Sequence, residues 1–314
     1  MSLAGQLFYQ IYHRPVGAVR SLVSEGGFFE RRRTERGRQA MEAAARTLPI
    51  PAPSAGHPVE LHLLTGRRFW YQTAFCLWTF ALTSQRPLRP IIYDDGTLTE
   101  EFRSPLRRLF PEIQFVAQSE TIARLDAYLP ANRFPALRER WLNYPNIRKL
   151  TDPHIGRAGW KLVLDSDLLF FRSPEFLLNW IDAPGRPLHA VDCETSYGYS
   201  RPLMTTLAGE PIAELVNVGV TGLRSEPIDW EQLEFWTHTL QTRERTSYYL
   251  EQALIAMMVA GQDCSVAPAH DYVTLPEKPE ALNCGAIMHH YVANSKRWYF
   301  QHNWQRAIAR LQGK

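Results

Sequence analysis

Two carboxylates stand one residue apart inside an apolar run, Lys161-Leu162-Val163-Leu164-Asp165-Ser166-Asp167-Leu168-Leu169-Phe170-Phe171. Burying such a pair without a partner is costly, so the pattern predicts a strand whose end meets a cation. On an extended strand residues i and i+2 point to the same side, so Asp165 and Asp167 can converge on one ion. Carboxylate oxygens suit Mg²⁺ or Mn²⁺, and a site with so few protein ligands completes its shell with water and phosphates. A short Asp-x-Asp match also arises by chance, as a strand-end turn with solvated acids. Here Leu162 to Leu164 precede the acids and Leu168 to Phe171 follow them, which reads as one buried strand of a nucleotide-binding sheet.

The surrounding chain supplies the elements that such a strand needs. Residues 1–47 read as helices, and Leu48-Pro49-Ile50-Pro51-Ala52-Pro53-Ser54-Ala55-Gly56 as a proline-rich connector. This sets off residues 1–56 as an N-terminal helical extension from a main domain over 57–314. Val59-Glu60-Leu61-His62-Leu63-Leu64 predicts a first strand, Thr65-Gly66 a turn, and Phe69 to Leu82 an apolar helix packed on the sheet. Ile91-Ile92-Tyr93 then gives a second strand closed by Asp94-Asp95-Gly96, followed by a polar helix through Phe110 and a third strand over Ile113 to Val116. Strand, helix, strand in that order predicts an α/β fold with a mixed, mainly parallel, Rossmann-like sheet.

Composition bounds the function. The 314 residues, 45% of them hydrophobic, can bury a large core. The longest apolar runs fall well short of the ~20 residues that cross a bilayer, and the amino terminus has no leader pattern, so a soluble, unexported, cytoplasmic protein is expected. Cys76, Cys193, Cys264 and Cys284 show no zinc-type spacing and fit reduced thiols. The net charge of +3 is local, because residues 1–50 hold eight arginines against four glutamates. Arg31, Arg32, Arg33, Arg36 and Arg38 read either as a solvated helix face or as a contact for a membrane surface, giving peripheral association through the basic N-terminal region. Nucleic acid is not an expected partner, since the basic residues do not extend along the chain.

Further downstream, Ile287-Met288-His289-His290-Tyr291-Val292-Ala293-Asn294-Ser295-Lys296-Arg297-Trp298 resembles the His-aromatic-x-x-x-x-Lys-Pro-Trp segment of retaining GT-A glycosyltransferases of family 8, the family of glycogenin and bacterial lipopolysaccharide galactosyltransferases. The resemblance runs from about Val59 to Phe300, with Asp165-Ser166-Asp167 in the place of the family's Asp-x-Asp and Arg297 in the place of its proline. It implies a GT-A fold and transfer of a sugar from a nucleotide-diphosphate donor, a UDP-sugar, to a glycan, lipid-linked or protein acceptor with Mn²⁺ or Mg²⁺. It further implies Asp165, Asp167 and His290 as metal ligands and Lys296 on the diphosphate. Arg148 and Lys149 stand where the family contacts the donor, Asp192 where it binds a donor-sugar hydroxyl, and Asn217 and Gly219 in its Asn-x-Gly segment. Thr65 stands at the nucleotide turn, where Arg67 and Arg68 replace acidic or Asn residues. Glu251-Gln252 stands for the family's Asp-Gln pair.

Two stereochemical outcomes follow from that pair. In a retaining reaction Gln252 lies beside the anomeric carbon and the leaving diphosphate takes the acceptor's proton; in an inverting one Glu251 is a general base on the opposite face. The resemblance favours retention. Two other readings keep the acids: a binding scaffold without turnover, supported by Gly66-Arg67-Arg68, and a nucleotidyltransferase or phosphohydrolase, which no phosphate loop or second acidic cluster supports. Tyr197-Gly198-Tyr199 is the expected mobile loop on the acceptor side.

Overall fold

The computed structural model describes residues 27–52 and 56–312. Residues 1–26 and 53–55 of the expected N-terminal extension lie outside them. Helix α1 (Phe28–Ala45) is followed by β1 (Val59–Thr65), α2 (Trp70–Ser84), β2 (Leu88–Asp94), α3 (Glu100–Leu109) and β3 (Gln114–Val116), so the strand, helix, strand reading of the sequence holds with ends shifted by at most three residues. Then come α4 (Gln118–Tyr128), α5 (Pro135–Asn143), α6 (Arg148–His154), β4 (Trp160–Leu164) and β5 (Leu168–Phe170). The remaining elements are α7 (Glu175–Asp182), β6 (Leu188–Val191), α8 (Arg201–Ala208), β7 (Val216–Arg224), α9 (Trp230–Glu244), α10 (Leu250–Met258), β8 (Ser265–Val266), β9 (Tyr272–Thr274), α11 (Lys278–Asn283), β10 (Met288–His290), α12 (Lys296–Trp298) and α13 (Trp304–Leu311).

A seven-stranded sheet runs in the order β3-β2-β1-β4-β7-β6-β8, and β7 alone is antiparallel to its neighbours. The sheet is therefore mixed and mainly parallel, as expected. A second sheet, β5-β10-β9, pairs β10 antiparallel with β5 and parallel with β9.

The single strand expected across Leu162 to Phe171 is two strands in different sheets. Asp165 N–H still donates to the Gly219 carbonyl of β7 at 2.8 Å, whereas the Asp167 carbonyl accepts from Tyr291 N–H at 3.0 Å, just past β10. The backbone is handed from one sheet to the other across Asp165-Ser166-Asp167. That gap lets both carboxylates reach the cleft at the sheet's edge instead of being sealed between layers.

Helix α2 explains how the first half packs. It is buried on nearly every side, and its Trp70, Phe75, Trp78 and Phe80 lie wholly buried between the sheet and the outer helices α1 and α13. Each such ring adds about 1.5–3 kcal/mol of burial. Its Trp78 indole donates to the Pro49 carbonyl at 2.8 Å, which fixes the connector against the core. Met41 and Ala45 of α1 belong to that same apolar cluster. A second cluster joins α4, α5, α6, α8, α9 and α10 to one face of β7, including Trp141, Tyr197, Tyr199 and Leu254.

Candidate active site

A cleft of about 680 Å³ opens at the carboxyl ends of β1, β4 and β6, where open α/β sheets bind their ligands. At its floor lies the turn Asp165-Ser166-Asp167. The Ser166 hydroxyl shares a hydrogen bond with Thr73 Oγ1 at 2.8 Å, and Thr73 donates to Thr65 Oγ1, also at 2.8 Å. A buried chain of three hydroxyls thus ties the turn to α2 and to the end of β1.

Around the turn, charges alternate. Lys149 Nζ lies 2.7 Å from Asp165 Oδ1 and 3.3 Å from Glu251 Oε2, while Lys296 Nζ lies 3.0 Å from Asp167 Oδ2. Between the acids stands His290, whose Nε2 is 3.5 Å from Asp165 Oδ2 and 3.4 Å from Asp167 Oδ1. The ring is buried, and neither of its nitrogens has a hydrogen-bond partner. It packs flat on β7 because residue 219 is glycine: a Cβ there would come within 2.3 Å of His290 Cε1. Asn217 Oδ1 accepts from Gly219 N–H at 2.9 Å, holding this part of the strand in place.

Burial opposes ionisation of both acids, yet the cations win. Lys149 and His290 hold the Asp165 carboxyl below the usual carboxylate range, and Lys296 and His290 do the same for Asp167. Burial likewise opposes the charged ring of His290, but the two carboxylates push it up to about 9. For Glu251 the balance reverses: burial dominates the attraction of Lys149 and raises its carboxyl to about 7.

These residues fit a divalent cation. Their ligand atoms all lie within 4.8 Å of one another. A hard ion with bonds of about 2.1 Å needs adjacent ligands roughly 3 Å apart, close to the spacing about His290. His290 Nε2, buried between the two carboxylates yet making no hydrogen bond, is placed to take a ligand bond. The oxygen-rich set suits Mg²⁺ or Mn²⁺.

On the opposite wall, Asp192 follows the end of β6 and Gln252 opens the buried α10. Gln252 Nε2 donates to Asp192 Oδ2 at 2.7 Å and to the Val216 carbonyl at 3.0 Å. Both amide hydrogens are thereby spent, so Gln252 can offer a ligand its carbonyl oxygen. Thr65, Lys149, Asp192, Asn217, Gly219, Glu251, Gln252 and Lys296 therefore share one cleft with the two aspartates and His290. Arg148 is placed elsewhere. Its guanidinium stacks 4.0 Å from the Trp141 ring and donates to the carbonyls of Trp141 and Asp95, behind the cleft wall.

The segment 197–199, expected as a mobile loop on the acceptor side, has its two aromatic rings packed in the core. The Tyr197 and Tyr199 rings are buried; the Tyr197 hydroxyl donates to the Ala213 carbonyl and the Tyr199 hydroxyl accepts from Ser247 N–H. The exposed aromatic rings lining the cleft are Phe69, Tyr248 and Tyr249, the two tyrosines edge to face with centroids 5.4 Å apart. Sequence reasoning also missed Thr73, Gln72 and Asp95 as parts of the site. Asp95 had one signal, the adjacent turn glycine: its carboxylate lies where a Cβ on Gly66 would stand, 2.0 Å away.

No protein-family model and no curated protein sequence matches the chain. Among solved structures, it is similar to galactosyltransferase LgtC in complex with donor and acceptor sugar analogs, with a TM-score of 0.54, 13% identity, and 81% of this chain against 95% of that one. It is also similar to the apo form of mouse xyloside xylosyltransferase 1, with a TM-score of 0.50, 14% identity, and 76% against 99%. At such low identity the likeness is one of architecture: the chain has the GT-A glycosyltransferase fold.

Proposed function

We propose that the protein is an enzyme, a cytoplasmic glycosyltransferase that moves a sugar from a nucleotide-diphosphate donor, a UDP-sugar, to a glycan, lipid-linked or protein acceptor with retention of configuration. The observation that carries this reading is the convergence of Asp165, Asp167 and His290 with Lys149 and Lys296 on one cleft of the GT-A fold. Four cysteines without disulfides support a reducing compartment.

When the anomeric bond breaks, negative charge grows on the diphosphate while the sugar ring becomes oxocarbenium-like. Asp165, Asp167 and His290 would hold Mn²⁺ or Mg²⁺, which supplies Lewis-acid neutralisation of the phosphate oxygens. Lys296 exchanges its contact with Asp167 for the diphosphate and places a fixed positive charge on the leaving group. Lys149 keeps Asp165 ionised and turned toward the cleft. Asp192 accepts hydrogen bonds from donor-sugar hydroxyls, and its bond to Gln252 aims the amide carbonyl at the developing charge of the ring. The acceptor hydroxyl attacks on the face that the diphosphate leaves, and its proton passes to a diphosphate oxygen.

One observation favours a second reading. Glu251 is a buried carboxyl raised to about 7, in the range of a general base, which is what inversion requires. Proton NMR of the first product formed from a defined α-linked donor separates the two. An α-linked product is expected; a β-linked one gives the role of base to Glu251 and overturns retention. A panel of sugar nucleotides, tested for binding and slow hydrolysis with and without Mn²⁺, identifies the donor. Absence of binding to every donor would overturn the enzymatic reading in favour of a scaffold.

A further inference from the structure

Helix α1 has two unlike faces. Its inner face carries Met41 and Ala45 into the core and presses Gly37 so closely on Phe300 that a Cβ at 37 would overlap the Phe300 carbonyl. Glu30 and Thr34, on the same side, accept from Gln301 Nε2 at 3.0 and 2.8 Å. At 3.6 residues per turn, Phe28, Phe29, Arg32, Arg33, Arg36, Gln39, Ala40 and Ala43 fall within about 140° on the outer side. All eight are exposed, and no acid lies among them. Glu35 and Glu42 stand at the edge of this arc, where Arg38 bonds both. Arg33 lies 4.0 Å from Glu30, a distance at which a solvated pair holds little.

A helix face kept in water has no physical reason to carry two adjacent phenylalanines, here 58% and 85% exposed. The pair stands at the first turn, edge to face, with three arginines spaced along the two turns behind it. Arginine stems lie along apolar surface while their guanidinium groups reach phosphate or carboxylate, and phenylalanine enters the acyl boundary beside them. We propose that this outer face of α1 is the docking surface for an anionic lipid bilayer. It stands independently of the transfer reaction.

The contact also orients the molecule. Because α1 is fixed to the segment 299–303, which directly follows the helix bearing Lys296, a docked α1 holds the cleft at a set angle to the lipid surface.

The test is co-sedimentation of the full chain with vesicles of pure phosphatidylcholine, or of phosphatidylcholine with 30% phosphatidylglycerol, at low and high salt. Three proteins are compared: the native chain, an Arg32→Gln/Arg33→Gln/Arg36→Gln variant and a Phe28→Ser/Phe29→Ser variant. Binding of the native chain to anionic vesicles is expected, weakening as salt rises. The triple arginine variant should lose about 100-fold in partition coefficient, at about fivefold per charge, and the phenylalanine variant about tenfold or more. Equal binding to neutral vesicles, no binding, or variants that bind as the native chain does would each overturn the proposal. A second measurement leaves the helix unaltered: anionic vesicles should protect Arg32, Arg33 and Arg36 from phenylglyoxal while Arg186 and Arg224 still react. Uniform reactivity of all five, or protection by an acidic protein but not by vesicles, would count against lipid.

Discussion

Asp165 has a cation on either side, Lys149 at 2.7 Å and His290 at 3.5 Å, and Asp167 has Lys296 and the same histidine. Such an arrangement keeps two neighbouring carboxylates ionised in a half-buried turn, and it fits the exchange of protein cations for a metal and a diphosphate. Lys296→Ala should leave the fold intact, because this side chain is partly exposed, and lower turnover by about a hundredfold or more, as loss of one preorganised positive charge at a leaving group does. Steady-state kinetics on a folded variant, verified by circular dichroism, measures it. Metal linkage gives a second expectation: Mn²⁺ at a hundred times its dissociation constant should raise native stability by about 2.7 kcal/mol. Urea unfolding with Mn²⁺ or with chelator would show this increment in the native protein and its absence in an Asp165→Asn/Asp167→Asn variant. An increment that survives in the variant would move the ion elsewhere.

Among the elements, β1, α2 and β2 were legible because each is a compact apolar run bounded by turn residues. The break between β4 and β5 was not. Leu162 and Leu164 alternate in the same way as Leu168 and Phe170, and only the hydrogen-bond partners, β7 for one and β10 for the other, show that the run serves two sheets. The acids were readable by spacing, and His290 and Lys296 only through the resemblance of their segment to a known family. Thr73, on the third residue past the amino end of a wholly buried helix, was not, since no motif separates a threonine that braces a site from one that fills a core. Arg148 and Lys149 illustrate the same limit: adjacent residues on a helix point about 100° apart, and helix rotation, set by packing, decides which one enters the cleft. Thr73→Val removes the hydroxyl that joins Ser166 to Thr65. It should weaken Mn²⁺ affinity by about tenfold, as loss of an outer-shell partner does, with the Asp-Ser-Asp turn loosened. Isothermal titration with Mn²⁺ measures the change.

At the scale of the whole molecule, stability depends on buried polar groups far from the cleft. His154, whose Nδ1 lies 2.9 Å from Ser225 Oγ, is pushed down to about 3 by burial, reinforced by His62 and Lys161. Its unfolded value is near 6.5, so between these values the unfolded chain binds the extra proton, and stability is lost as pH falls from 6.5 toward 3. Asp152 acts in the opposite sense. Burial raises it to about 6, so its contribution is complete below about 3.8 and disappears as pH rises through 6. Replacing His154 with Gln isolates the first effect: between pH 7 and 5 the variant should lose about 2 kcal/mol less than the native protein, read from urea unfolding at both values. The metal trio has a further consequence. Its acids lie at 165 and 167 and its histidine at 290, and the support of α1 comes from residues 300 and 301. During synthesis, a nascent chain that has emerged as far as β8 has both carboxylates and Lys149 but neither the histidine nor Lys296, and α1 still lacks its partner. The stretch from His290 to Gln301 therefore completes the cation site and clamps α1 in one event as it emerges, so a product truncated before it has neither.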